Sequence, residues 1–412
     1  MRSSFPKLSR RQALLGGAGI GLSVTFMGGV EVPWADEAVA RRKLIVIICR
    51  GAMDGLAMAP PIGEHGYAAL RGQLALPSFG EPGGALKLDG DFGLHPKLDA
   101  VHKLALAGQA RIVPAIATPD RDRSHFEGQD VLENGTAGAY RSSTGWLNRA
   151  LQAMAPGRSV SAISVGEGTP LILRGQVQTG SWSLGSAPDG DPRLPSILMD
   201  LYAKDPLLGP ALASGLQTQA MVAGAMTPGS EMELGKKSFG KEGPAAALGQ
   251  AAGRLMTQPN GPSVMVMSLY GFDTHHAQGS SEGLLAQRFA VLDGAIDGLH
   301  QGLGPAWNNT VVLAVTEFGR TVRVNGTGGT DHGTASAALL AGGAVRTGGI
   351  VGDWPGLAES RLYEGRDLAP TLDMRALFKG VLAEHYGLER AALDKAVFPD
   401  SARVAPVSGI VV

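Results

Sequence analysis

The run Lys43-Leu44-Ile45-Val46-Ile47-Ile48-Cys49 constrains the fold more than any other stretch of this chain. It is apolar without alternation and rich in β-branched residues, so an extended strand here has no side fit for water. Such a strand belongs in a parallel sheet covered by helices on both faces. Ala110 to Ala117, Ser159 to Val165, Ser263 to Tyr270 and Thr310 to Val315 read as further strands, with Ala335 to Ala341 as another. Apolar residues at helical spacing lie between them: Leu94 to Leu106, Ser124 to about Asn134, Gly145 to Met154, Leu194 to Met226, Ala245 to Met256, Leu284 to Leu303 and Thr371 to Tyr386. Strands alternating with helices predict an α/β fold, a mainly parallel central sheet with helices on both faces.

Hydrophobic residues fill 44% of the 412 positions, which supports one large α/β domain over residues 41–412. The polar stretch Thr227 to Gly243 reads as an exposed linker, and a lid or insertion is expected around 190–245. The 60 glycines, scattered among apolar runs, read as tight turns. With 36 basic and 37 acidic side chains, no basic stripe for nucleic acid is visible. Cys49 is the only cysteine, so no intrachain disulfide forms, and it reads as a small buried hydrophobe.

Residues 1–40 read as an export leader. Ser9-Arg10-Arg11-Gln12-Ala13-Leu14-Leu15 is a twin-arginine core, Gly16 to Val30 an apolar stretch, and Ala38-Val39-Ala40 a small-residue cleavage site. The apolar stretch is too short and glycine-rich for a membrane span, so no transmembrane segment is expected in the mature chain. The expected route is the twin-arginine export machinery, and the expected location is the periplasm or the medium.

Titratable residues gather where predicted strands end, which is where α/β sheets bind ligands. Gly271-Phe272-Asp273-Thr274-His275-His276 follows one strand; Thr316-Glu317-Phe318-Gly319-Arg320 follows another and leads to Gly329-Thr330-Asp331-His332-Gly333. Imidazole mixed with carboxylate suits zinc, manganese or iron better than magnesium. Asp273, His275, His276, Glu317 and His332 are therefore candidate ligands of a divalent metal, zinc or manganese. A helical turn would set Asp273 beside His276, an extended loop beside His275. The same groups could instead cap turns and pair with Arg320 or Arg323. Ser124 is placed as an N-cap with Glu127 completing a capping box, and a hydroxyl there is also placed for nucleophilic attack. The alternation Asp120-Arg121-Asp122-Arg123 before it reads as a solvated loop. Asp54, in the loop after the first strand, is both a candidate ligand and a plain turn residue. His95 reads as a helix-start residue. There is no dinucleotide-binding glycine fingerprint.

Together these motifs resemble the exported bacterial family called domain of unknown function 1501. The resemblance rests on Arg50 to Leu56, Gly93-Leu94-His95-Pro96, Ser124-His125-Phe126 with Gln129-Asp130, Gly145-Trp146-Leu147, Gly271 to His275, Thr316 to Arg320 and Gly328 to Gly333. That family is similar to the alkaline phosphatase and sulfatase superfamily. The resemblance implies an alkaline-phosphatase-like fold, metal at the C-terminal edge of the sheet, and hydrolysis of a phosphate or sulfate ester of a small molecule or glycan. It implies Asp54, Asp273 with His275 or His276, Glu317 and His332 as metal ligands. It implies Ser124 as nucleophile; in a hydrolase of this kind Arg50 or Arg320 is the candidate to stabilise developing negative charge. Phe318 stands where the superfamily has a histidine, and Arg50 rather than an acid follows the first strand, with Asp54 displaced to slightly later in the loop. These departures imply a single-metal or altered site, and they leave open a non-catalytic binding or assembly protein of the cell envelope that kept the fold.

Overall fold

The computed structural model describes residues 24–25, 39, 41–154, 162–165, 169–177, 179–182, 199, 242–258 and 261–412. The expected leader at 1–40, the insertion around 190–245 and the helix expected over Leu194 to Met226 lie almost wholly outside the described residues. No helix among the described residues is long and apolar enough to cross a membrane.

The first predicted strand forms as β1, Lys43–Arg50, buried up to its last residue. The other strands of the main sheet are β2 (Ala110–Ala117), β3 (Ala162–Val165), β4 (Gly180–Trp182), β5 (Val264–Tyr270), β6 (Thr310–Val315), β7 (Ser336–Ala341) and β8 (Leu372–Asp373). Their order is β4-β3-β5-β1-β6-β7-β2-β8, with Val24–Thr25 paired outside β4. β1 is parallel to both neighbours, Val46 lying opposite Val266 of β5 and Leu313 of β6. Of the eight, β7 alone is antiparallel to its neighbours, β6 and β2. The connection explains this. A parallel return needs a crossover, usually a helix. Here the chain stays at the C-terminal end of β6 through loop residues 316–335 and turns straight back into the sheet.

The longer helices are α1 (Asp99–Leu106), α2 (His125–Asn134), α3 (Trp146–Met154), α4 (Glu242–Met256), α5 (Leu284–Leu303) and α6 (Met374–Tyr386). Side chains of β1 divide by parity between two layers. Ile45, Ile47 and Cys49 pack with apolar residues of α1, α4 and α5. Leu44, Val46 and Ile48 pack with those of α3 and α6. Each fully buried aliphatic side chain contributes about 1.5–3 kcal/mol, so a charge at Val46 or Ile47 would break one layer outright. Some glycines serve helix contact rather than turns. A Cβ added at Gly298 of α5 would lie 2.0 Å from the carbonyl oxygen of Ala246 in α4.

This topology brings three loops to one sheet edge. Gly51 follows β1, Gly271 follows β5 and Thr316 follows β6, while α2 begins a short way past β2.

Candidate metal centre

Residues 271–275 take no helical turn. The extended path sets Asp273 and His275 on the same side, and His275 Nε2 lies 3.0 Å from Asp273 Oδ1. His276 is exposed and has no side-chain hydrogen bond or ion pair among the described residues. The structure therefore brings His275, and not His276, to Asp273. His332 arrives on the return of the 316–335 loop, where the amide of Thr321 donates to Asp331 O at 2.9 Å and that of Gly333 to Gly319 O at 2.8 Å. Its Nε2 lies 3.3 Å from Asp273 Oδ1 and 3.0 Å from His275 Nε2. His125 opens α2, and its Nε2 faces Asp273 Oδ2 at 3.4 Å.

The far side of each ring decides which nitrogen carries the proton. Nδ1 of His125 lies 2.8 Å from Glu317 Oε1, that of His332 2.8 Å from Arg123 O, and that of His275 3.4 Å from Asp331 Oδ1. Carboxylates and carbonyls only accept, so each Nδ1 donates, and a ring in its neutral form turns an Nε2 lone pair toward Asp273. Lone pairs and a carboxylate converging on one point repel unless a cation joins them. His125 Nε2 is buried with no hydrogen-bond partner. Donor atoms of His125, Asp273 and His332 lie within 4.8 Å of one another. The residues fit a divalent ion with nitrogen and oxygen ligands. Asp273 and His275 side chains are 44% and 42% exposed, so the cluster opens to solvent on one side.

The family model described as protein of unknown function (DUF1501) matches residues 41–397. The chain belongs to this family. Among solved structures, the C-terminal periplasmic domain of EcEptC from Escherichia coli, in complex with Zn, matches at 11% identity. The match covers 77% of this chain and 75% of that one at a TM-score of 0.26, too slight a likeness to carry fold or function. No curated protein matches.

In this DUF1501 protein, a layer of polar groups holds the cluster from behind. Glu317 is buried, and it stands behind His125. Its Oε1 also accepts from Gly51 N at 2.9 Å and Gln129 Nε2 at 3.0 Å, and its Oε2 from Thr316 Oγ1 at 2.9 Å. Burial pushes the Glu317 carboxyl up, but the His125 bond and three lesser hydrogen bonds outweigh it and hold the pKa below its ordinary value. The Glu317 bond in turn raises the pKa of His125, against burial. Burial lowers that of His332. At Asp273 burial acts upward, yet Arg320 and the neighbouring histidines bring the net shift down.

Arg320 is fully buried and donates to Asp273, to Gly51 O at 2.6 Å, to Ala52 O at 2.7 Å and to Thr330 O at 3.0 Å. Arg50 pairs with Glu133 at 2.8 Å and donates to Gln129 and Ser268. Both arginines expected to meet a developing negative charge are thus already engaged. Asp54 does not join the cluster. Its carboxylate caps the Gly55–Met58 helix, pairs with the buried Arg71 and accepts from Gln278 Nε2 at 2.8 Å. Gln278 then accepts from Thr274 and Thr330, so Asp54 braces the loops of Asp273 and His332. Phe318 packs its ring 5.0 Å from those of both His125 and His332, walling the cluster. Ser124 does stand at the N-cap, but its hydroxyl donates to Glu127 instead of capping the backbone, so the expected capping box is not made. The loop before it is not simply solvated, since Arg123 pairs with buried Asp367 at 2.9 Å. His95 is a core histidine between Ser280 O and Lys97 N, pushed down to about 4 by burial.

His125 was not among the candidate ligands expected from the sequence. The available signal was its position, the first helical residue past a strand end, as Asp273 and Glu317 also lie just past strand ends.

Proposed function

We propose that this protein is an exported metal-dependent hydrolase holding one divalent cation, zinc or manganese, on His125, His275, His332 and Asp273. The observation that carries the reading is the convergence of three Nδ1-anchored imidazoles on one carboxylate, with His125 Nε2 buried and unpartnered. A bound cation supplies Lewis-acid polarisation of an ester and activation of water. The chain's own residues prepare that site. Glu317 keeps the proton of His125 on Nδ1, Arg320 keeps Asp273 ionised, and Phe318 shields the imidazoles. Ser124 is the candidate nucleophile; its hydroxyl proton already points to Glu127. That bond holds the Glu127 carboxyl below its ordinary pKa, a weak base, so attack by water is the simpler route.

The substrate class, a phosphate or sulfate ester of a small molecule or glycan, comes with the resemblance to alkaline-phosphatase-like enzymes. The twin-arginine leader supports a periplasmic or secreted location. The non-catalytic envelope reading drew on Phe318 and Asp54. Both have packing roles that leave the cluster whole, which favours the catalytic reading.

The test is elemental analysis of natively exported protein with assays on a panel of phosphate and sulfate esters. About one zinc or manganese per chain is expected, absent from His125→Ala and His332→Ala, together with ester hydrolysis that Ser124→Ala retains if water attacks. Protein that takes up neither metal on reconstitution and is inert on the panel overturns the proposal.

A further inference from the structure

Asp367 is fully buried and has both carboxylate oxygens engaged. Oδ1 accepts from Arg366 Nε at 2.8 Å; Oδ2 accepts from Arg123 Nε and Thr334 Oγ1, each at 2.9 Å. Each partner lies beside His332. The Arg123 carbonyl receives His332 Nδ1 at 2.8 Å. The Arg366 guanidinium donates to the backbone carbonyl of His332. Thr334 is two residues further along the same loop. The backbone of Asp367 also bridges Thr321, next to Arg320.

Arg123 stands at φ 56°, in the left-handed region that side chains with a Cβ avoid. Such a conformation persists where surroundings over-determine it, and such residues gather at functional sites. Here the surroundings are two carboxylates, Asp367 and Glu364, that grip the guanidinium. The grip fixes the peptide whose carbonyl orients His332, and the next residue but one is His125, the first of α2.

We infer that Asp367 is the positioning residue of the centre, setting the ring of His332 through Arg123 and its backbone through Arg366. This rests on the metal reading above, and outer partners of metal-binding histidines change affinity about 10–100-fold when removed.

The experiment uses the full chain with Asp367→Asn, Arg123→Gly and Arg123→Lys, measuring zinc affinity by competition with a chromophoric chelator. Asp367→Asn and Arg123→Gly should each bind zinc about 10–100-fold more weakly, and Arg123→Lys should recover part of the loss. Arg123→Gly relieves the left-handed strain, so weaker binding there isolates the ion pair; it also carries the test if Asp367→Asn fails to fold. Lys379→Met, which removes the buried partner of Asp394 in α6, is the control. It should lower stability and leave zinc affinity unchanged. A second readout needs no metal: the Nδ1–H proton of His332, protected by the Arg123 carbonyl, should be seen by nitrogen-edited NMR in wild type and lost in Asp367→Asn. Folded variants that bind zinc within about threefold of wild type and keep that proton overturn the inference. A wild type that binds no zinc but loses the proton in Asp367→Asn sinks the metal reading and leaves the positioning role standing.

Discussion

Replacing Glu317 with glutamine separates the charge of that buried side chain from its shape. Oε1 accepts three hydrogen bonds, from Gly51 N, His125 Nδ1 and Gln129 Nε2. A glutamine with its carbonyl oxygen in that position keeps all three and turns its NH2 group toward Thr316. Thr316 can accept there, because its hydroxyl proton has a second acceptor in Cys49 O at 2.7 Å. Packing survives and only the charge is lost. A hydrogen bond to a charged group is worth about 1.5–3 kcal/mol and a neutral one about 0.5–1.5, so the three bonds together lose about 3–4 kcal/mol; the glutamine no longer buries a charge, which offsets part of this and leaves a fall in folding stability of about 1–2 kcal/mol. Metal affinity should fall more, about 10–100-fold or 1.4–2.7 kcal/mol, because His125 keeps its Nδ1 acceptor but loses the negative charge that raises its basicity.

The pH dependence supplies a sign check. Glu317 has a folded pKa below its ordinary 4.5, so its contribution is present above pH 4.5 and is lost as pH falls through the folded value. The stability gap between wild type and Glu317→Gln, measured by urea unfolding in chelator, should therefore be open at pH 7 and close in acid. Chelator competition at pH 7 gives the affinity. A folded Glu317→Gln protein that binds zinc within about threefold of wild type would refute the claim that Glu317 acts through His125.

Two further outcomes are expected. His275→Ala should weaken zinc binding by at least about tenfold while His276→Ala leaves it unchanged, in the same competition assay. His95 and His385 are both buried and pushed down to about 4 from an ordinary 6.5. Their folded forms bind fewer protons than the unfolded chain over that interval, so stability is fully present above pH 6.5 and lost as pH falls toward 4, by roughly 3 kcal/mol each. Urea midpoints of chelated protein across that range should drop, and a His95→Gln variant should drop less steeply.

Much of the sheet was legible because burial on both faces leaves no alternation to misread. β1, β2, β5 and β6 fall close to where unbroken apolar runs place them. Strand direction was not legible at β7. All six of its residues are buried, as in a parallel strand, and only the absence of a crossover helix in residues 316–335 fixes its reversal. Glycine was half legible. Turns account for those with positive φ, but Gly298 in mid-helix reports on the distance to α4, which composition does not encode. At Thr371 a helix was expected at once. Leu372–Asp373 first pairs beside β2, and the helix starts after Asp373 accepts from Arg375 N at 2.9 Å.

At the site, Asp273 and His332 were legible as residue types at strand ends, and the choice between His275 and His276 turned on whether the loop was extended. His125 and Asp367 were not legible, for one shared reason. What distinguishes a ligand histidine from a surface histidine is the group that holds its other nitrogen, and that group comes from far along the chain. Glu317 is 192 residues from His125, and Arg123 is 209 from His332. Arg123 beside Asp122 looks like ordinary surface charge until Asp367 is placed against it, 244 residues on. The candidate ligands of this centre are thus partly local in sequence, whereas the proton positions that suit them to a metal exist only once the sheet has brought its loop ends together.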